Sequence, residues 1–219
     1  MKRLLAAALL LTVIAFSASA FPLDPQDVNS FDRAFMAPYS KTLDDLSLVP
    51  AIAVALSPAV LLTQPSSEYL TLGLMYVESF AITYGAKELI KYLVPRERPF
   101  MYDAGTPMSL VEDDEHDESF LSGHTALAFN GASFASYVFC KYNPDSKWKI
   151  PVIAASYSLA AATAALRVAS GNHFVTDVVA AALLGSAIGI AVPALHTLLA
   201  DKDVTVAASP FGLVFSKSY

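Results

Sequence analysis

The segment RVASGNHFVTD, residues 167–177, places an arginine, a histidine and an aspartate between two long apolar stretches. Its flanks, residues 150–166 and 178–200, contain no Asp, Glu, Lys or Arg. Each flank approaches or reaches the roughly 17–25 residues that a helix needs to cross a bilayer. The pattern therefore predicts two apolar helices joined by a polar segment whose charged groups serve a function.

The rest of the chain has the same apolar character. Hydrophobic residues make up 55% and charged residues 16%, with a mean hydropathy of +0.48, whereas an average soluble domain is about 25% charged. Three further apolar stretches, 46–67, 69–86 and 119–140, are helix candidates. We expect an all-α bundle with 5–6 transmembrane helices. Because alanine-rich runs score as hydropathic without being strongly lipophilic, a soluble all-helical bundle stays open.

The first twenty residues have the pattern of a secretory signal peptide. Two basic residues precede an apolar run, and Ala18-Ser19-Ala20 supplies small residues before a cleavage point. An uncleaved first transmembrane helix is the alternative, and both interpretations place Phe21 outside the cytoplasm. The predicted organisation is a signal over 1–20, a helical bundle over 21–200 and a tail over 201–219, which forms a short strand or is disordered.

Topology follows from that start. If the apolar stretches cross a membrane in turn, residues 87–123 and 167–177 emerge on the same outer side. The loop 141–149, which carries three lysines, then falls inside, as the positive-inside rule expects. The net charge of −6 gives no reason to expect a nucleic acid partner. The single cysteine, Cys140, is read as a small core residue.

Three polar clusters carry the chemistry: KYLVPRERP at 91–99, SFLSGHT at 119–125 and the opening segment. The cations Lys91, Arg98 and Arg167 suit phosphate, because guanidinium groups bind its oxygens in pairs and lysine adds a point charge. Ser122 and Gly123 precede a long helix candidate, and free N–H groups at a helix start attract an anion. The clusters together predict a phosphate site.

Two histidines fit the reaction. His173 and Asp177 are four residues apart and share a face of a helical turn. A carboxylate on one ring nitrogen leaves the other free to attack. His124 is then available as a general acid. These parts describe phosphoryl transfer through a covalent histidine intermediate. A zinc site at the same residues is a weaker interpretation, because the three cations would repel a metal ion.

The three motifs, Lys-x6-Arg-Pro, Ser-Gly-His and Arg-x5-His-x3-Asp, resemble the signature of the type 2 phosphatidic acid phosphatase superfamily. This superfamily includes membrane lipid phosphatases, bacterial class A acid phosphatases and vanadium haloperoxidases. The resemblance spans residues 87–180. It implies a helical bundle that needs no metal or other cofactor. It also implies His173 as nucleophile, Asp177 as its partner and His124 as general acid, with five phosphate ligands: Lys91, Arg98, Ser122, Gly123 and Arg167.

Two positions depart from the family pattern. Leu121 stands where the family usually has proline, and Leu166 stands where it usually has serine. The first change affects the turn that presents Ser122, and the second removes a hydroxyl near the phosphate site. Neither deletes a catalytic group, so we expect activity.

The expected function is hydrolysis of phosphate monoesters or diphosphates, with a phosphorylated lipid or a small phosphate ester as substrate. The expected location is a bacterial inner membrane with the site facing the periplasm. The alternatives are a soluble periplasmic acid phosphatase of broad specificity, a vanadate-dependent haloperoxidase, and an anion-binding transporter or scaffold. The sequence does not predict an oligomeric state.

Two features remain outside this scheme. Seven acidic residues lie between Asp103 and Glu118, and the simplest interpretation is a solvated surface loop. A sharper hypothesis is that the loop borders the phosphate site and repels polyanionic substrates. Glu78 lies within an apolar stretch, where an ionisable group is costly and often functional. It either pairs with a cation or faces the bundle interior.

Overall fold

The computed structural model describes residues 21–55, 64–200, 204–209 and 212–217, with side chains described as far as Leu199. The predicted signal segment 1–20 lies outside the described residues. The described part is a helical bundle with seven α-helices and one β-hairpin, so the all-α prediction is confirmed for the core. The helices are α1 Ser30–Arg33, α2 Lys41–Ala55, α3 Tyr69–Leu93, α4 Met108–Val111, α5 Gly123–Tyr142, α6 Lys149–Ala169 and α7 Val175–Ala200.

The centre of the bundle is α5, which packs against α2, α3, α6 and α7. Its side chains are mostly small, and Phe134 is fully buried against Leu72 and Met75 of α3. Small side chains let neighbouring helices approach closely, whether the surroundings are lipid or protein. The helix ends where the chain reaches Asn143 and Pro144, because proline cannot continue a helix.

Two glycines on α7 fix its approach to α5. A Cβ on Gly185 would lie 2.0 Å from the carbonyl oxygen of Ala126, and one on Gly189 would lie 2.5 Å from that of Asn130. No side chain fits at either distance. The two helices therefore cross with their backbones in contact, a geometry that small residues spaced four apart produce.

The five apolar stretches correspond in order to the five long helices of the described residues, with shifted ends, whereas the short helices α1 and α4 match none of them. The stretch 69–86 continues as α3 to Leu93, so Lys91 lies in its last turn. The stretch 46–67 begins earlier, at Lys41, and α2 thereby includes Asp44 and Asp45; residues 56–63 lie outside the described residues. Helices tolerate charged residues in their end turns. The apolar stretches therefore missed the first turn of α2 and the last turns of α3.

Two of the described helices, α6 over Lys149–Ala169 and α7 over Val175–Leu199, are long and apolar enough to cross a membrane. Of the other long helices, α3 carries Glu78, Lys87, Glu88 and Lys91, α5 is rich in small and polar side chains, and α2 has 15 residues. The expected number of 5–6 transmembrane helices therefore stays a prediction. Glu78 accepts a hydrogen bond from Nε2 of His196 on α7 (2.7 Å), which identifies its partner.

The tail forms the hairpin. Strands β1 Val204–Ser209 and β2 Gly212–Lys217 pair antiparallel, with Val204 opposite Lys217 and Ser209 opposite Gly212. Of the two predictions for the tail, the short strand is the one observed. The hairpin is a peripheral addition that contacts the end of α7.

Candidate active site

Main-chain hydrogen bonds bring the three polar clusters together at one end of the bundle. The amide of Arg98 donates to the carbonyl of His116 (2.9 Å), and the amide of Ser119 donates to the carbonyl of Arg96 (2.9 Å). The amide of Phe100 donates to the carbonyl of Gly171 (3.2 Å). The segments 87–123 and 167–177 therefore share one end of the bundle, as the predicted topology requires.

Gly171 turns the chain from α6 towards His173. Its φ of +74° is a left-handed conformation that side chains disfavour, and its amide donates to the carbonyl of Val168. This is how helices commonly end. A Cβ at this position would also lie 2.7 Å from the carbonyl oxygen of Ala37. The glycine thus serves both the turn and the contact with the N-terminal segment.

His173 is held in one tautomer by a main-chain carbonyl. Its Nδ1 lies 2.8 Å from the carbonyl oxygen of Ser119. A carbonyl oxygen only accepts, so Nδ1 carries the proton and Nε2 keeps its lone pair. Burial, followed by the positive charges of Arg167 and Arg98, holds the pKa of His173 well below its usual value. The ring is therefore neutral at physiological pH and has a nucleophilic Nε2.

Asp177 does not make the direct hydrogen bond to His173 that the spacing predicts. The carboxylate is 4.0 Å from Nδ1. It instead accepts from Oγ of Ser119 (2.6 Å) and from the amide of Phe174 (2.8 Å). The physical reason is that α7 begins at Val175, so the four-residue spacing of a helical face does not extend to His173. Asp177 fixes Ser119, and the carbonyl of Ser119 fixes His173.

Ser122 and Gly123 form the start of α5, as expected. Ser122 is the N-cap residue and is fully buried, and its Oγ is hydrogen-bonded to Oγ1 of Thr125 (2.9 Å). A Cβ on Gly123 would lie 3.0 Å from Cδ of Lys87, so the glycine allows a fourth cationic side chain to approach the helix start. Such a helix start favours an anion.

A cavity of about 290 Å³ opens beside this helix start. Three of the predicted site residues, Arg98, His124 and Arg167, line it, together with Asn172. The other five predicted residues, Lys91, Ser122, Gly123, His173 and Asp177, are not among the residues that line it. Lys91 is paired with Glu118 (3.1 Å).

The two arginines of the cavity are buried and only partly satisfied. Arg98 donates to the carbonyl oxygen of Glu115 (2.9 Å) and to Oδ1 of Asn172 (3.3 Å). Arg167 donates through Nη1 to Asp44, while its Nε is buried without a hydrogen-bond partner among the described residues. Buried donors normally find a partner. The unpaired Nε thus leaves Arg167 with a donor that no described residue uses.

His124 lies in the first turn of α5 and faces the cavity. Burial, followed by the charge of Arg167, lowers the pKa of His124 to about 4. The nearby cations Lys87 and Lys91 act in the same direction, and Asp44 opposes them. A bound phosphate would offset these cations and raise the affinity of His124 for a proton.

The acidic loop forms one wall of the cavity, through Asp113 and Glu115. Asp44 and Asp45 of α2 lie on the same cavity. Carboxylates therefore share the cavity wall with the two arginines, which supports the hypothesis that the loop repels polyanions. The effect on activity stays a prediction.

Sequence reasoning missed four residues that shape the site: Asp44, Arg96, Ser119 and Asn172. Arg96 was visible within the first cluster, yet the motif gave it no role. Asn172 stands directly before His173, and that adjacency was an available signal. Asp44 and Ser119 carry no signal of their own, because their contacts to Arg167 and Asp177 join residues far apart in the chain.

The two positions that depart from the family pattern are accommodated differently. Leu121 is buried and packs with Ala126 and Ala181, so a hydrophobic contact stands at the turn before Ser122. Leu166 is half-buried next to Arg167. Among the described residues, no group of three or more His, Cys, Asp or Glu side chains has the arrangement of a metal site.

Fold and site together define a class: a helical bundle with a buried, neutral histidine and a cavity lined by a second histidine and two buried arginines. Comparison with known families agrees with this class. The family model of the PAP2 superfamily matches residues 72–200, more than half of the chain. The chain belongs to the PAP2 superfamily, the type 2 phosphatidic acid phosphatase superfamily that the three motifs resemble.

Two solved structures are similar to the chain. One is LpxE of Aquifex aeolicus, 22% identical, with 74% of this chain and 92% of that chain covered and a TM-score of 0.47. The other is a transmembrane PAP2-type phosphatidylglycerolphosphate phosphatase of Bacillus subtilis, 19% identical, with 77% and 92% covered and a TM-score of 0.43. No curated protein matches the sequence.

Proposed function

We propose that the protein is a membrane phosphatase that hydrolyses phosphate monoesters or diphosphates, preferentially of lipids, through a phosphohistidine at His173. The observation that carries the proposal is the state of His173. Its Nδ1 is tied to the carbonyl of Ser119 and its Nε2 keeps a lone pair, beside two buried arginines. A neutral imidazole among cations is matched to an anionic electrophile.

The reaction then runs in two steps. Nε2 of His173 attacks phosphorus, an N–P bond forms and the bond from phosphorus to the alcohol oxygen breaks. His124 gives its proton to the departing oxygen. In the second step His124, now neutral, takes a proton from water, whose oxygen attacks phosphorus. The N–P bond breaks, and inorganic phosphate and neutral His173 remain.

The cations have separate parts in this scheme. Arg98 and Arg167 hold the equatorial oxygens, on which the transition state spreads its charge. The start of α5 at Ser122 and Gly123 adds main-chain N–H groups, which need no reorganisation during the reaction. Lys91 and Lys87 do not line the cavity but add positive charge near it. In addition to burial, Lys91 lowers the pKa of His173, and both lysines lower the pKa of His124.

The outer surface supports a membrane location. Only 22% of the most apolar stretch of α6 and 33% of that of α7 are buried, whereas the core helix of a soluble bundle is mostly buried. On α3, Leu70, Leu74 and Val77 are each more than half exposed. Their spacing puts them on one face of the helix, which suits contact with lipid chains.

The test is a substrate panel on purified protein: phosphatidate, phosphatidylglycerol phosphate, undecaprenyl diphosphate and a soluble aryl phosphate. We expect phosphate release that is fastest with a lipid and that His173→Ala abolishes. Equal hydrolysis by His173→Ala would contradict the mechanism. Oxidation of bromide that depends on vanadate and peroxide, without phosphate release, would favour the haloperoxidase alternative.

A further inference from the structure

Asp32 is a buried carboxylate that none of the three motifs includes. It lies on α1, outside the residues 72–200 that match the family, and its side chain is fully buried. A buried carboxylate is costly unless it is paired and hydrogen-bonded. Asp32 meets this condition. It accepts hydrogen bonds from the side chains of Asn29, Arg96 and Thr176 and from the main-chain amide of Thr176.

One hydrogen bond to Asp32 and one to Asp177 complete the start of α7. A helix leaves its first N–H groups without partners, and a Ser, Thr, Asp or Asn at the N-cap usually satisfies one of them. Here the N-cap position is Phe174, which has no side-chain acceptor. Asp177 reaches back to the amide of Phe174, as in a capping box. Asp32 supplies the other acceptor from a distant segment, at 3.0 Å from the amide of Thr176.

The contact with Arg96 joins Asp32 to His173 through a chain of hydrogen-bonded groups. Asp32 accepts from Nη2 of Arg96 (2.8 Å), and Nη1 of the same guanidinium donates to Asp177. Asp177 accepts from Oγ of Ser119, whose carbonyl oxygen holds Nδ1 of His173. The guanidinium carbon of Arg96 also lies 4.0 Å from the centre of the Phe174 ring, so the arginine is fixed on a third side.

The charges are arranged so that Arg96 serves two carboxylates. Asp32 and Asp177 are both fully buried and share this single cation. Burial raises the pKa of Asp32, and the hydrogen bonds from Arg96, Thr176 and Asn29 outweigh that effect and hold the pKa below its usual value. Asp32 is therefore ionised at neutral pH and shares Arg96 with Asp177, each carboxylate on its own guanidinium nitrogen.

We propose that Asp32 and Arg96 are positioning residues for His173, acting through Asp177 and Ser119. This inference rests on the proposed function only where it predicts a loss of kcat. The N-terminal segment thereby becomes part of the active site, and a bundle without it would hold His173 less accurately. A misplacement of about 1 Å at a reacting group can cost about a hundredfold in rate.

The test compares Asp32→Asn, Arg96→Gln and the double variant in the full chain. The control is Asp27→Asn, an exposed acid of the same segment. With the best substrate of the panel, each single variant should lower kcat by about ten- to a hundredfold with KM changed about twofold or less. The double variant should be no slower than the worse single variant, because both residues act through one path. Activity is normalised to folded protein by near-UV circular dichroism.

A second measurement does not depend on substrate. The proton on Nδ1 of His173 should give a downfield NMR signal in wild type that is absent in His173→Ala. That signal should shift in Asp32→Asn and stay unchanged in Asp27→Asn. An unshifted signal, or wild-type kcat in Asp32→Asn, would overturn the positioning role. An inactive wild type whose signal shifts in Asp32→Asn would overturn the proposed function and leave the positioning role supported.

Discussion

In the proposed mechanism, His124 is the residue whose ionisation sets the pH dependence of the reaction. With a pKa of about 4 in the empty site, its protonated fraction grows as pH falls. The pH profile of kcat/KM reports the free enzyme. We therefore expect kcat/KM to rise from about pH 7 to about pH 5. His124→Asn should lose that rise, apart from the part due to ionisation of the substrate. An unchanged profile in His124→Asn would contradict its role as general acid.

If Arg167 binds phosphate as proposed, Asp44 competes with phosphate for it. Its carboxylate accepts from Nη1 of the arginine inside the cavity. Asp44→Asn removes a negative charge there and releases a donor, so we expect inorganic phosphate to inhibit about three- to tenfold more tightly. The measurement is the inhibition constant at fixed ionic strength.

The matched control is Asp45→Asn, since Asp45 is more exposed and pairs with Lys41 at the surface. Its effect should be smaller because water screens exposed charges. Weaker phosphate inhibition in Asp44→Asn would mean that the carboxylate orients Arg167 for the anion.

At the scale of elements, the crossing of α5 and α7 positions the two histidine-bearing ends of the site. Gly185→Ala would force a methyl group against the carbonyl of Ala126. Overpacking of this kind usually costs about 1–3 kcal/mol, so we expect a lower midpoint of thermal unfolding and lower activity. Gly73→Ala is the control, since nothing lies within 4 Å of a Cβ there. It should stabilise α3 by about 0.5–1 kcal/mol. Equal stability of Gly185→Ala and wild type would contradict the close crossing.

The elements also show which parts of the structure were predictable. The number and order of the five long helices followed from the charge-poor stretches, because a long apolar run in such a chain usually forms a helix. The meeting of segments 87–123 and 167–177 at one end of the bundle was predicted from the topology of the apolar stretches. The predicted direct hydrogen bond from Asp177 to His173 is not observed. The sequence did not show that α7 begins at Val175, after His173. Asp32 could not be found either, since it meets Thr176 only after the chain has folded.

At the scale of the whole molecule, the described helices present apolar faces outwards. That surface predicts an integral membrane protein, whereas the soluble alternative requires the same faces to be covered. We expect the protein in the membrane fraction after cell lysis, resistant to an alkaline carbonate wash and released by detergent. Recovery in the soluble fraction without detergent would contradict the membrane location and leave the site chemistry intact.

The central claim concerns a covalent bond at one nitrogen, and rapid-quench trapping tests it most directly. Wild-type protein is mixed with a phosphate ester, quenched in alkali, digested and analysed by mass spectrometry. Phosphohistidine is stable in alkali and labile in acid, so the quench preserves it. We predict one phosphorylated residue, His173, whose label appears before free phosphate and vanishes on further incubation, and which His173→Ala lacks. Steady hydrolysis with no phosphate on His173 at any time would contradict the account.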